Sequence, residues 1–193
     1  MFVKKKKEKS GIEKMLETSY DYDGYDICFR EGVTDPALYR EVNALFPNGL
    51  FDLTELETFR QFEKVRDEDT FNDFYDEWLE ELRKRHFVFY LDNSVSIEEL
   101  TEGINEILLA RQKSTALVAA DVVNAYRQKL SEFGVAGDTI YYLLEANTAA
   151  AFLRKADWEF ISLFNGFDNH DVTVILIEEI EKMKALEKKI CGA

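Results

Sequence analysis

Histidine, cysteine and proline are scarce in this 193-residue chain, which holds two of each. His86 and His170 are the only histidines, which excludes a multi-histidine metal centre. Cys28 and Cys191 are too far apart in sequence to form a metal or redox motif, and two plain thiols suit a reducing compartment. Two prolines and nine glycines leave no room for a collagen-like or linker-rich organisation. No apolar run approaches the ~20 residues that a membrane helix needs. The lysine-rich start lacks the apolar stretch and small-residue cleavage site of a secretory signal. A cytoplasmic location is the expectation. The nucleophile elbow GxSxG, the Walker A sequence and the dinucleotide fingerprint GxGxxG are also missing.

Basic charge is short as well. Asp and Glu number 38 against 24 Lys and Arg, a net charge of −14. Residues 1–14 run against this trend, with Lys4, Lys5, Lys6, Lys7, Lys9 and Lys14 facing Glu8 and Glu13. That balance of +4 leaves −18 on the remainder. A field of that sign repels nucleic acid and anionic membranes and favours a basic protein as partner. It also serves solubility with no partner at all.

What the chain does contain is core material: 46% hydrophobic residues, with 15 Phe and 9 Tyr. The expected organisation is a basic flexible tail over 1–14 and one acidic domain over 15–193. Residues 26–29 read as an edge strand. Asp35 and Pro36 open a helix whose apolar face is Leu38, Val42, Leu45 and Phe46. Thr54 and Glu57 have the spacing of a capping box ahead of Leu56, Phe59, Phe62 and Val65. A third helix, over 69–85, would bury Phe71, Phe74, Tyr75, Trp78, Leu79 and Leu82. Residues 87–91 form a short apolar strand. Ser96 and Glu99 make another capping box, followed by helices over 115–133, 139–145 and 149–156, the last capped by Thr148. Two strand-like runs, 158–164 and 172–177, flank a polar loop and predict a hairpin. A charged helix over 178–189 follows, leaving Cys191 in a loose tail. The predicted class is α+β, helix-rich, with a small and mainly antiparallel sheet of three or four strands.

Candidate binding residues come from three places. Between Asp52 and Glu81 stand twelve carboxylates against Arg60, Lys64 and Arg66. Asp73, Asp76 and Glu80 fall off the aromatic face of the third helix, as a negative stripe for a basic surface or as an ordinary solvated face. Tyr22 and Tyr25, interleaved with aspartates, offer contact area if exposed and core packing if not. Asp168, His170 and Asp171 sit in the hairpin loop, where they would bind a divalent cation weakly or simply supply turn chemistry. The stretch from Asp21 to Asp26 imitates a calcium loop, but with Gly24 at the sixth position the twelfth is Arg30, where a glutamate is required. No cofactor is expected.

Phe87, Val88, Phe89, Tyr90 and Leu91 before a helix, and later the run from Trp158 to Asp168 before an apolar strand, resemble small bacterial domains of unknown function. Some of these sit among immunity-type proteins of toxin systems. The resemblance covers 87–177 and implies a small cytoplasmic binding protein. The leading expectation is a non-catalytic, immunity-like or inhibitory protein that occludes a basic partner. A metal-assisted hydrolase centred on 165–171 and a structural oligomer are the alternatives.

Overall fold

A computed structural model of the chain describes residues 10–11, 13–14, 25–27, 29, 35–46, 52–92, 94–112, 116–136, 142–164 and 170–191. The hairpin predicted from the sequence forms its centre. Strand β3 (Trp158–Phe164) pairs antiparallel with β4 (His170–Leu176), in a register that sets Trp158 opposite Leu176 and Phe164 opposite His170. Strand β2 (Phe89–Leu91) joins the far side of β4, also antiparallel. Strand β1 (Tyr25–Ile27) joins β3 in parallel, so the order is β1-β3-β4-β2. The class is α+β, as the sequence implies.

Both faces of this sheet are covered. Because side chains alternate along a strand, Ile161, Leu163 and Ile175 point one way and Trp158, Phe160, Val172 and Val174 the other. The first set packs against α1 (Pro36–Asn43), α2 (Glu57–Val65), α3 (Glu68–Lys84) and α7 (Ile180–Cys191). The second packs against α4 (Ile97–Ala110), α5 (Ala119–Glu132) and α6 (Tyr142–Arg154). A strand buried on both faces has no reason to alternate apolar with polar residues, which is why β3 and β4 read as nearly continuous apolar runs.

The exceptions in those runs are paired. Asp171 has no exposed surface and takes Nε and Nη2 of Arg83 on α3, each at 2.6 Å. Glu159 is gripped in the same way by Arg154, at 2.8 and 3.2 Å. The Thr173 hydroxyl donates to the Phe87 carbonyl at 2.7 Å. Sheet and α3 are thereby fixed in register by polar contacts inside an apolar layer.

Several boundaries differ from the sequence expectation. Gly11, Glu13 and Lys14, expected as the end of a tail, are helical. Ser10 and Glu13 cap each other, and Gly11 lies so close to the Phe133 carbonyl that a side chain there would collide with it. Thr54 does not cap α2. It lies in a 3-10 turn (Leu53–Glu55) capped by Asp52, and Arg60 of α2 reaches back to the Thr54 carbonyl. The two pieces expected over 139–156 are one helix, α6, because the Thr148 hydroxyl turns inward and donates to the Leu144 carbonyl at 2.6 Å instead of capping. Cys191 belongs to the last turn of α7, not to a tail. Phe87 and Val88 are buried ahead of β2 without pairing, since His86 turns the chain at φ 57°.

Candidate functional site

Helix α3 buries Phe71, Phe74, Tyr75, Trp78, Leu79 and Leu82. Its opposite side therefore carries what is left, and Asp69, Asp73, Asp76 and Glu80 are all exposed there. Their spacing of four, three and four places them along one line of the helix. The structure thus brings together the three carboxylates, Asp73, Asp76 and Glu80, that the sequence singled out. The line is not uniformly negative. Lys84 pairs with Glu80 at 3.1 Å and with Glu81 at 2.9 Å, and its hydrogen bond holds the Glu81 carboxyl below the usual range. Asp76 also acts electrostatically on Arg83. No large apolar side chain of α3 is exposed beside this stripe.

The α4–α5 face has a different composition, which sequence reasoning missed. Glu98, Glu102 and Glu106 recur every four residues along α4 and form a second acidic row. With Asn105, Leu109 and Ala119 they line a groove of about 460 Å³. Leu109 is 72% exposed and Val118, one residue before α5, is 60% exposed. Among the described residues these are the most exposed large apolar side chains. Acid and apolar surface therefore meet in one place.

That placement is built by the chain. The Asn105 amide donates to the Leu117 carbonyl at 3.1 Å and accepts from the Leu117 N–H at 2.7 Å. Leu117 is thereby drawn into the core beneath α4, and its neighbour Val118 is turned outward. Val118 also occupies the N-cap of α5 without any side-chain cap bond. Asp, Asn, Ser or Thr would satisfy the open N–H groups there, and an exposed valine does not. At the flanks, Glu98 pairs with Arg127 at 3.0 Å and Glu106 with Nδ1 of His86 at 3.0 Å. Glu102, between them, forms no ion pair among the described residues.

The remaining sequence candidates separate. Tyr25 stands on β1 at one sheet edge, half-buried, with Nζ of Lys184 at 4.1 Å over its ring. Tyr22 and Asp168 lie outside the described residues. The His170 backbone opens β4, opposite Leu91 on one side and Phe164 on the other. Asp171, the third member of the suggested cation loop, has both carboxylate oxygens on Arg83 and would have to leave that pair to ligate a metal. Exposed cap carboxylates such as Asp67, held low by the Thr70 N–H, and Glu99, held low by the Ser96 N–H, serve their helices.

No family model, curated protein or solved structure matches the chain. The functional reading therefore rests on its own residues.

Proposed function

We propose that this chain is a non-catalytic cytoplasmic binding protein of the immunity or inhibitor kind, which captures a basic protein and blocks its working surface by occlusion. The observation that carries the reading is the α4–α5 face, where Glu98, Glu102 and Glu106 run beside the exposed Leu109 and Val118. Interfaces gain most of their affinity from apolar anchors that become fully dry, while charge steers the encounter and selects the partner. The α4–α5 face offers both. The α3 stripe of Asp73, Asp76 and Glu80 offers charge alone, so it contributes to the field that draws a basic partner in rather than to the contact itself.

The net charge of −18 over 15–193 agrees with such steering. A charge-steered encounter falls with ionic strength, whereas an apolar anchor holds against it. The test is capture of partners from the native lysate by the wild type and by two variant sets, each at low and high salt. One set is Leu109→Ser with Val118→Ser, and the other is Asp73→Lys, Asp76→Lys and Glu80→Lys. Loss of a stoichiometric basic protein with the first set, and only weaker and less salt-sensitive capture with the second, is the expected result. A basic partner retained equally by all forms, or no partner with the wild type at low salt, contradicts the reading.

A further inference from the structure

Among the described residues three arginines direct the Nε and Nη2 edge of their guanidinium groups into the interior, and two of those edges meet a carboxylate. Arg83 holds Asp171 through that edge and Arg154 holds Glu159 through the same two atoms. Arg111, immediately after α4, is only 5% exposed, and its Nε and Nη2 are buried without a hydrogen-bond partner among the described residues. Its guanidinium carbon lies 5.6 Å from the centre of the Phe46 ring, beyond the end of α1. Burial pulls its pKa down to about 10, with Glu179 acting in the opposite direction. The group is still a cation at neutral pH. A buried cation with two unsatisfied donors is costly to keep, and native proteins rarely leave such groups unpaired.

We propose that the Nε and Nη2 edge of Arg111 is a binding site for the carboxylate of a ligand taken up from solution, completing the pairing that Arg83 and Arg154 make within the chain. The two parallel N–H groups match the two oxygens of a carboxylate in a planar, bidentate arrangement. A single negative charge is the better fit. One guanidinium neutralises one carboxylate, while a phosphate dianion would leave excess charge buried, close enough to feel Glu179. The site is independent of the docking face, since Leu109 and Val118 are exposed and Arg111 is not.

The test is thermal unfolding of the full chain in sodium acetate against sodium chloride at equal ionic strength, for the wild type and Arg111→Met. At tenfold excess over the dissociation constant, acetate should raise the wild-type Tm by about 3 °C more than chloride does. Arg111→Met removes the buried charge and should unfold no lower than the wild type in chloride, with no acetate-specific rise. Equal acetate effects on both proteins would overturn the proposal, as would a larger rise with sodium phosphate than with acetate. Should Arg111→Met fail to fold, the Nε–H resonance of Arg111 in the wild type decides. A saturable shift with acetate supports the site, and an unmoved resonance rejects it.

Discussion

The two helical layers that cover the sheet solve the same burial problem with different side chains. On the α1–α3 side the helices contribute rings: Tyr39, Phe59, Phe62, Phe71, Phe74, Tyr75 and Trp78. Phe62 and Phe74 stack at 5.6 Å, and the Tyr39 ring meets Phe74 edge-on at 5.4 Å. Polar contacts lock the rings in place. The Tyr39 hydroxyl donates to the Phe29 carbonyl at 2.7 Å, and the Trp78 indole donates to Asn43 at 3.0 Å. On the α4–α6 side the helices contribute chiefly Leu, Ile, Val and Ala, with Tyr126 the one buried ring of those helices among the described residues. Here the close approach is of another kind: a side-chain carbon at Gly103 of α4 would run into the Phe89 ring of β2. This aliphatic layer is also the one that leaves Leu109 and Val118 outside. Among the described residues the helices of the ring layer expose one large apolar side chain, Val65, amid charge, and the aliphatic layer exposes Leu109 and Val118 beside an acidic row, so the proposed reading puts stability on one side and contact on the other.

The largest test of that division is truncation. Trp78→Ala should cost about 4 kcal/mol in urea unfolding, against about 3 kcal/mol for Leu100→Ala in the other layer. A greater loss at Leu100 would void the contrast.

The Arg83–Asp171 pair comes next, and its two ends are unequal. Asp171 is fully buried and the Arg83 side chain is 37% exposed. Arg83→Ala strands a buried carboxylate and should cost about 3 kcal/mol, whereas Asp171→Ala leaves an arginine that can turn to water and should cost about 1–2 kcal/mol. Equal losses would mean that the Arg83 end is no better solvated than the Asp171 end.

Asn105→Ala removes two hydrogen bonds to Leu117 and should cost about 1–2 kcal/mol. It should also speed amide exchange at Leu117 while leaving the ring layer protected. If exchange at Leu117 is unchanged, Asn105 does not position the outward turn at Val118.

Acid should act on both layers through their caps. Hydrogen bonds to Thr54, Thr70, Ser94 and Ser96 hold Asp52, Asp67, Asp92 and Glu99 below their ordinary values. A carboxyl with a lowered folded pKa adds stability that is complete above its unfolded pKa, near 4, and is lost as pH falls through the lowered value. The urea midpoint should therefore change little from pH 7 to 5 on this account and fall below pH 4. Asp67→Asn should keep the cap of α3 and lessen the fall.

The sequence made much of the local structure legible, because caps and periodicity are local. Asp35 with Pro36 starts α1, Ser96 with Glu99 starts α4, and the aromatic stripe of α3 is buried residue for residue. The bounds of β3 agree with the sequence reading at both ends. What escaped depends on contacts distant in sequence. The parallel pairing of β1 with β3 joins residues more than a hundred positions apart, and nothing near Tyr25 announces it. The division of helices between two faces follows from the alternation of β3 and β4 only once the neighbours of each face are known. The face proposed for docking escaped because glutamates at 98, 102 and 106 look like any solvated helix side. Nothing in the local sequence marks Val118 as outward until Asn105 is seen to hold Leu117 in and turn Val118 out. Arg111 gave no signal either, since its isolation is a property of what surrounds it.

Val118 is where fold and function compete most openly, and Val118→Asp measures that directly. The aspartate would cap α5 and should raise stability by about 1 kcal/mol. The same change removes an exposed apolar anchor and should abolish capture of the basic partner that the wild type retains. A protein that is more stable and no longer binds is the predicted result. One that is more stable and binds as before would contradict the assignment of the α4–α5 face as the contact surface.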